Sequence, residues 1–221
     1  WKKYPETLKA RKCFLTFDVS ATTDITAMVL TFPPTDEDPK WRVLCRFWLP
    51  KDQVERRIAE GAPVDKFIAA GAMETTEGDY VDQNVVAAAI EDATRDYDVQ
   101  LIGYDPWNAA KLVTDLQLDG LAADRFLEMR QGVRTLGEPS KHFERLVFAG
   151  LLDHGGHPVM RWMAGNVVVH FDRNLNFMPA KDRSREKIDG IVAGVMGVGL
   201  AMQGEDAVDL TDFINDAVMF A

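Results

Sequence analysis

The feature that most constrains the fold is a short apolar segment that contains a carboxylate. Residues 14–20 place Asp18 among aromatic and β-branched residues, and Thr22, Thr23 and Asp24 follow in a small polar turn. This alternation predicts a β-strand with one face on a core. Because Asp is disfavoured in strands, Asp18 either ends the strand and caps the turn or is held there for a function.

Three strand patterns at the start of the chain predict an antiparallel meander. They cover residues 13–19, 26–32 and 42–49, and the second and third stop at prolines, which cannot continue a β-ladder. Consecutive strands joined by short loops favour antiparallel pairing.

Helical patterns alternate with further strands in the rest of the chain. Asp82 can cap a helix, and the apolar run 99–105 then predicts a buried parallel strand that ends in Asp105, before Pro106 starts another helix. The other predicted elements are helices at 54–59 and 64–70, a hairpin or loop at 73–80, a strand at 126–129, helices at 139–148 and 159–165, a hairpin within 166–178, and a helix at 185–202 capped by Ser184. This order predicts an α/β fold with a mixed sheet flanked by helices, in which the strand at 99–105 runs parallel to the first.

The length and charge fit one acidic domain with an uneven charge distribution. The 221 residues are 47% hydrophobic, and we divide them into a lead-in at 1–12, a domain at 13–203 and an acidic tail at 204–221. The net charge of −10 disfavours nucleic-acid binding through bulk electrostatics. Cations nevertheless outnumber acids between residues 125 and 187, so a basic face is compatible with the acidic tail.

Several kinds of protein are disfavoured by the sequence. No apolar run approaches the ~20 residues of a membrane-spanning helix, and no signal peptide is visible, so we expect a cytoplasmic protein. Cys13 and Cys45 are too few for a disulfide framework and are predicted to be reduced, buried thiols. The chain has no GxxxxGK[ST] phosphate loop and is not expected to hydrolyse ATP by that route. Because it does not begin with Met, we expect a fragment of a longer chain or a trimmed one.

Three acids fall where a carboxylate is least expected. Asp18 and Asp105 end apolar strands, and Asp189 lies near the start of an apolar helix. Each has a structural explanation, as a strand end, a helix N-cap or an acid favoured by the helix dipole. Together they lean toward one sheet edge, where α/β folds tend to place their sites. Crowded carboxylates need a cation, and hard oxygen ligands suit Mg²⁺ or Mn²⁺.

Other residue types that often mark sites have structural explanations here. The histidines are His142, His154, His157 and His170. Only His154 and His157 are close, in a glycine turn without an obvious third ligand, so we predict loop histidines. Trp41, Trp107 and Trp162 are predicted as core or rim residues rather than base-stacking platforms. The glycine-spaced run 194–199 lies within a helical pattern and predicts helix packing rather than dinucleotide binding.

Six groups of residues occur in an order that is characteristic of one family. They are residues 17–20 with 22–24 (FDVS, TTD), 103–108 (GYDPWN), 130–132 (RQG), 154–159 (HGGHPV), 162–167 (WMAGNV), and Lys181 with 187–193 (KIDGIVA). Together they resemble the C-terminal nuclease domain of the large terminase subunits of tailed bacteriophages. Gly165 stands where that family leads us to expect Ser, and the tail after Gly204 has no counterpart.

This resemblance implies a ribonuclease H-like fold that binds two divalent cations, Mg²⁺ or Mn²⁺, and cuts double-stranded DNA. The family's catalytic, metal-binding acids fall on Asp18, Asp105 and Asp189. We expect Asp18 and Asp189 to bind one ion, and Asp18 and Asp105 to share the other. Two such ions about 4 Å apart can activate a water and stabilise the leaving oxygen of a phosphodiester.

Four further residues are assigned roles by the same resemblance. Lys187 could stabilise charge that develops on the phosphate, although a solvated lysine at a helix start is an equally good explanation. Arg130, Asn166 and Lys181 are the candidates for DNA contacts. In the family an ATPase domain precedes the nuclease and drives genome packaging, with a portal protein and a small terminase subunit as partners. The implied location is the cytoplasm of the infected host, without a membrane partner.

Two alternatives remain open from the sequence. A Holliday-junction resolvase or a transposase-like nuclease of the same fold would cut junctions in preference to linear duplex. A non-catalytic docking module would instead use the acidic tail, in which Leu210, Phe213, Ile214 and Val218 recur at helical spacing, to hold a packaging partner.

Overall fold

The computed structural model describes residues 8–9, 11–19 and 24–218, with side chains in the last helix described as far as Gln203. The turn residues Thr22 and Thr23, most of the lead-in and the side chains of the acidic tail lie outside the described residues. Of the helices within these ranges, none has both the length and the apolar character that crossing a bilayer requires.

The described residues form a mixed sheet of seven strands. These are β1 (Lys12–Asp18), β2 (Thr26–Phe32), β3 (Trp41–Pro50), β4 (Glu74–Thr76), β5 (Asp98–Tyr104), β6 (Phe126–Glu128) and β7 (Leu152–Asp153). The strand order is β4-β3-β2-β1-β5-β6, and β7 pairs with β3. Strands β1 to β3 are antiparallel neighbours, whereas β5 is parallel to β1 and β6 is parallel to β5. The predicted meander and the predicted parallel strand are therefore confirmed.

Helices cover both faces of this sheet. They are α1 (Val54–Ala59), α2 (Val64–Ala69), α3 (Gln83–Asp96), α4 (Pro106–Leu118), α5 (Val133–Phe148), α6 (Pro158–Asn166) and α7 (Asp189–Val218), and a separate antiparallel hairpin joins β8 (Val169–Phe171) to β9 (Phe177–Pro179). Helices α3 and α4 pack on the face that carries Leu15 and Phe17. Helices α5, α6 and α7 pack on the opposite face, against Val29 and Val43. The predicted α/β class is confirmed.

Two predicted helix boundaries were wrong. Helix α5 begins at Val133 rather than at Pro139, which lies buried inside the helix. Helix α7 begins at Asp189 rather than after Ser184, because the Ser184 hydroxyl donates to the Ala180 carbonyl (2.7 Å) and so belongs to the preceding turn. The backbone of α7 continues to Val218, so most of the predicted acidic tail extends this helix. The segment predicted as a hairpin or loop at 73–80 contributes the short strand β4.

Helix α7 lies unusually close to the sheet. A Cβ atom at Gly197 would overlap with the side chain of Thr31 on β2. The Thr16 hydroxyl on β1 donates to the Ala193 carbonyl of α7 at 2.7 Å, a buried bond. The glycines of this helix therefore serve packing, as predicted, and the contact fixes the position of Asp189 at the start of the helix.

Candidate active site

Two of the predicted acids leave the sheet at the same edge. Strands β1 and β5 are parallel, with Phe17 opposite Tyr104, so Asp18 and Asp105 occupy corresponding positions where the two strands end. Asp18 is 4% exposed, and Asp105 is half-buried. The arrangement of these two strand ends is the one predicted from the sequence.

Asp18 also meets the third predicted acid through a lysine. The Lys181 ammonium donates to Asp18 Oδ2 and forms an ion pair with Asp189 Oδ1 at 3.0 Å. The Lys181 side chain is 36% exposed, whereas those of Asp18 and Asp189 are largely buried. One ammonium therefore joins the end of β1 to the start of α7.

Burial and mutual charge shift the pKa values of this cluster. Burial raises the pKa of Asp18 to about 6, a shift that Lys181 opposes and Asp189 reinforces. Burial works against the charge on Lys181, but the carboxylates of Asp18 and Asp189 outweigh it and raise the lysine pKa. The lysine is thus held as a cation between the two acids.

The two acids suit a hard cation. Oδ2 of Asp189 is buried and has no hydrogen-bond partner, so this oxygen is available as a ligand. Carboxylate oxygens are the ligands that Mg²⁺ and Mn²⁺ prefer. Within the described ranges, however, no cluster of three or more His, Cys, Asp or Glu side chains is positioned to hold a metal.

Asp105 makes a different contact from the other two acids. It is the N-cap of α4, and its Oδ1 accepts the backbone N–H of Trp107 at 3.1 Å. The structural explanation offered for Asp105 from the sequence is therefore realised, since its carboxylate satisfies a free amide at the helix start. The structure joins Asp18 to Asp189 and aligns Asp105 with them at the same edge of the sheet.

A charged cavity of about 510 Å³ opens beside these residues. Its charged lining comprises Asp18, Asp24, Arg57, Glu60, Lys181, Arg185, Glu186, Lys187 and Asp189, and Asn108 of α4 also lines it. The mixture of acids that can bind a cation and of cations that can bind a phosphate is suited to a phosphate ester.

Three of the cavity cations are held by neighbouring acids: Lys181, as described above, Lys187 and Arg57. Lys187 forms an ion pair with Asp24. Arg57, which is buried, donates to Glu60 at 2.5 Å and to Glu186 at 2.7 Å. Arg57 was not identified from the sequence, because its position in a short helix carries no signal of a contact with residues next to α7. The Arg57–Glu186 pair ties α1 to the segment that carries Lys187 and leads into Asp189.

The residues predicted to contact DNA lie in different places. Arg130 is exposed and follows β6 at the edge of the sheet where β5 also ends. Lys181 lies between Asp18 and Asp189 and pairs with both. Asn166 ends α6, where its Nδ2 is buried without a hydrogen-bond partner, and it is not among the residues that line the cavity.

His154 and His157 lie outside the helices and strands, as predicted for loop histidines. His157 is nevertheless buried, because it is 1% exposed and packs against the Phe47 ring with 5.2 Å between the ring centroids. Burial, followed by the neighbouring His154, lowers the pKa of His157 to about 4. Trp41 is buried as predicted, but Trp107 is 88% exposed and takes no part in the core. The two cysteines are buried thiols, as expected.

One known protein family matches nearly the whole chain. Residues 3–205 match the family described as terminase large subunit, endonuclease domain. The large terminase subunit of Enterobacteria phage HK97 is 33% identical over 207 residues, which is 92% of this chain and 40% of the relative. Protein YmfN of Escherichia coli K12 is 30% identical over 222 aligned positions, which is 95% of this chain and 48% of the relative. The chain thus spans less than half the length of these relatives.

Solved structures show the same architecture. The HK97 large terminase, which is 33% identical, superposes with a TM-score of 0.79 over 86% of this chain and 39% of that protein. The large terminase nuclease of the thermophilic phage G20c superposes with a TM-score of 0.56 at 9% identity, over 85% of this chain and 81% of the nuclease. Its structure with bound magnesium gives 0.53 at 10% identity. The G20c similarity concerns the fold alone, which is ribonuclease H-like as expected.

Proposed function

The chain belongs to the terminase large subunit endonuclease domain family, and we propose that it is a divalent-metal-dependent endonuclease that cuts double-stranded DNA during phage genome packaging. The observation that carries this proposal is the convergence of buried Asp18 and half-buried Asp189 beside a charged cavity. Buried carboxylates that approach each other need a positive charge, and an open cavity allows that charge to be a metal as well as a lysine.

Asp18 and Asp189 would hold the cation, with Asp105 as a further ligand at the same edge. The unpartnered Oδ2 of Asp189 and the all-oxygen donor set support Mg²⁺ or Mn²⁺, and the G20c nuclease structure with magnesium agrees with this choice. We propose two ions, which when bound would supply an activated water and charge stabilisation for the leaving oxygen.

The other charged residues of the cavity would position the DNA. Lys187, now paired with Asp24, would donate to the phosphate and stabilise the charge that develops there. Lys181 would turn from the acids to the DNA backbone when a metal takes its place. Arg130 would bind a phosphate outside the cavity, and Asn166 would contact the DNA further along α6. These four roles remain proposals.

The proposal is tested by plasmid cleavage at low salt in Mg²⁺, Mn²⁺ or EDTA, comparing the unaltered chain with Asp105→Asn. Asn caps helices as well as Asp does, so the variant should keep α4 and its fold. We expect metal-dependent cutting that disappears in the variant. Equal cutting by both would contradict the acid triad, and no cutting by either at high protein concentration would contradict the proposal for this chain.

Lys187→Ala separates chemistry from metal binding. We expect it to lose cutting while it binds Mn²⁺ as the unaltered chain does, because Lys187 pairs with Asp24 rather than with the acid pair. Full activity would remove Lys187 from the mechanism.

We also propose that the whole protein carries an N-terminal ATPase domain and works in the host cytoplasm with a portal protein and a small terminase subunit. The greater length of the relatives supports a further domain. Deleting residues 204–221 tests whether the acidic end of α7 binds these partners. If the shortened chain still pulls down both partners, this segment is not their binding site.

A further inference from the structure

The most exposed tryptophan of the described residues stands next to the candidate active site. Trp107 is 88% exposed and lies in the first turn of α4. It directly precedes Asn108, which lines the cavity, and its backbone N–H is bound by Asp105. Tryptophan is highly buried on average, so a nearly free indole at this position needs an explanation.

Packing does not explain this side chain. Helix α4 is anchored to the sheet by Ala109, Leu112, Val113 and Leu116, which are all buried. Trp107 lies outside this set. Its backbone is nevertheless fixed, because the Asp105 cap and Pro106 define the first turn of the helix. The point at which the indole leaves the helix is therefore fixed relative to the cavity, and the side chain does not support the fold.

An exposed cation lies at the same sheet edge. Strands β5 and β6 are parallel, with Tyr104 opposite Glu128, and the Met129 N–H donates to the Tyr104 carbonyl at 2.8 Å. Arg130 follows Met129 and is exposed, so it leaves the sheet beside the start of α4. An aromatic side chain and a cation at the same sheet edge suit a nucleic-acid strand, because the cation binds phosphate and the ring packs on a base or sugar.

We propose that Trp107 is a DNA-contacting residue, whose indole packs on the base or sugar of a nucleotide next to the phosphodiester that is cut. This inference rests on the proposed function and adds an apolar contact to the charged ones. Phosphate contacts alone would let the duplex slide through the cavity mouth, whereas an aromatic contact from a fixed helix start holds one nucleotide in register with Asp18 and Asp189.

The test is the affinity for a fluorescently labelled linear duplex, measured by anisotropy in Ca²⁺ over a series of salt concentrations, with gels to verify that the duplex stays intact. We expect Trp107→Ala to bind about ten-fold more weakly, as for loss of one stacking contact. Trp107→Phe should lose about three-fold or less, because it keeps an aromatic face. The melting temperature should not change, since Trp107 is exposed.

Two control variants identify the type of contact. Leu118 is 80% exposed at the opposite end of α4, so Leu118→Ala should bind as the unaltered chain does. Arg130→Gln should lower the slope of log affinity against log salt by about 0.9, as for one phosphate contact. Trp107→Ala should leave this slope unchanged, because the indole carries no charge.

The outcomes separate this inference from the proposed function. Unchanged binding by Trp107→Ala, an equal loss in Leu118→Ala, or a shallower salt slope in Trp107→Ala would each overturn the inference, while metal-dependent plasmid cutting by the unaltered chain would still support the nuclease. If the unaltered chain neither binds nor cuts DNA, the proposed function fails and the inference fails with it.

Discussion

The Lys181 ammonium lies 3.0 Å from Oδ1 of Asp189 and also bonds to Asp18, so one lysine pairs with both converging acids of the candidate site. Without such a cation, two carboxylates this close together would repel each other, and their burial would remove the water molecules that hydrate their charge. In this structure the protein supplies the positive charge itself. A divalent cation would have to displace the lysine in order to bind the same oxygens.

Lys181→Met should therefore have opposite effects with and without metal. In EDTA we expect a loss of roughly 1–3 kcal/mol in the free energy of unfolding, less than the 3–5 kcal/mol typical of a broken buried pair, because the lysine is partly exposed. With Mn²⁺ the variant should gain more stability than the unaltered chain, since the metal no longer competes with an ammonium. Chemical denaturation in EDTA and in Mn²⁺ measures both effects.

The matched control is Lys187→Met, which removes an equally exposed lysine of the same cavity that pairs with Asp24. Its stabilisation by Mn²⁺ should equal that of the unaltered chain. Weaker stabilisation of Lys181→Met by Mn²⁺ would show that the lysine supports metal binding rather than competing with it.

The contact between α7 and the sheet predicts a sharp difference between two glycines. Gly197→Ala should lower the free energy of unfolding by about 1–3 kcal/mol, because the added methyl group overlaps with the Thr31 side chain in a close-packed core. Gly165→Ala is the control, since nothing lies within 4 Å of its added methyl group, and it should be neutral or up to about 1 kcal/mol stabilising in helix α6. Equal effects in urea denaturation would contradict the close approach.

The part-buried Arg57–Glu186 pair should couple more strongly than an exposed pair. We expect a double-mutant cycle of Arg57→Met and Glu186→Gln to give a coupling free energy of about 1–3 kcal/mol, because the Arg57 side chain is 8% exposed. The Arg46–Glu74 pair, whose side chains are 40% and 46% exposed, should give less than about 1 kcal/mol in the same measurement. A coupling no larger than that of the exposed pair would mean that Arg57 does not fix the segment before α7.

Most of the sheet could be predicted because its signals are local. Strand β2 occupies the predicted residues, since its apolar run ends at adjacent prolines. The start of α5 was missed because Pro139 normally marks a first turn, yet here it lies inside the helix against Gly199. The start of α7 was missed because the hydroxyl of Ser184 already bonds to Ala180, a choice that composition does not reveal.

The placement of the candidate acids was predictable, but their contact partners were not. The alignment of Asp18 with Asp105 follows from two parallel strands that end in acids. The Lys181–Asp18 contact joins residues 163 positions apart, and the Arg57–Glu186 contact joins residues 129 positions apart. No periodicity encodes such contacts. The exposure of Trp107 was missed for a related reason, because residue type predicts burial only on average.

His157 should make stability depend on pH. Its pKa is about 4 in the folded chain, lowered first by burial and then by His154, against 6.5 for a free histidine. Protonation therefore favours the unfolded chain, so the stabilisation is fully present above pH 6.5 and is lost as the pH falls toward 4, by about 3 kcal/mol in total. His157→Gln should lose this part of the pH dependence in urea denaturation, whereas His170→Gln, a half-buried histidine on β8, should retain it. If the free energy of unfolding of His157→Gln falls with pH as steeply as that of the unaltered chain, protonation of His157 is not the cause of destabilisation in mild acid.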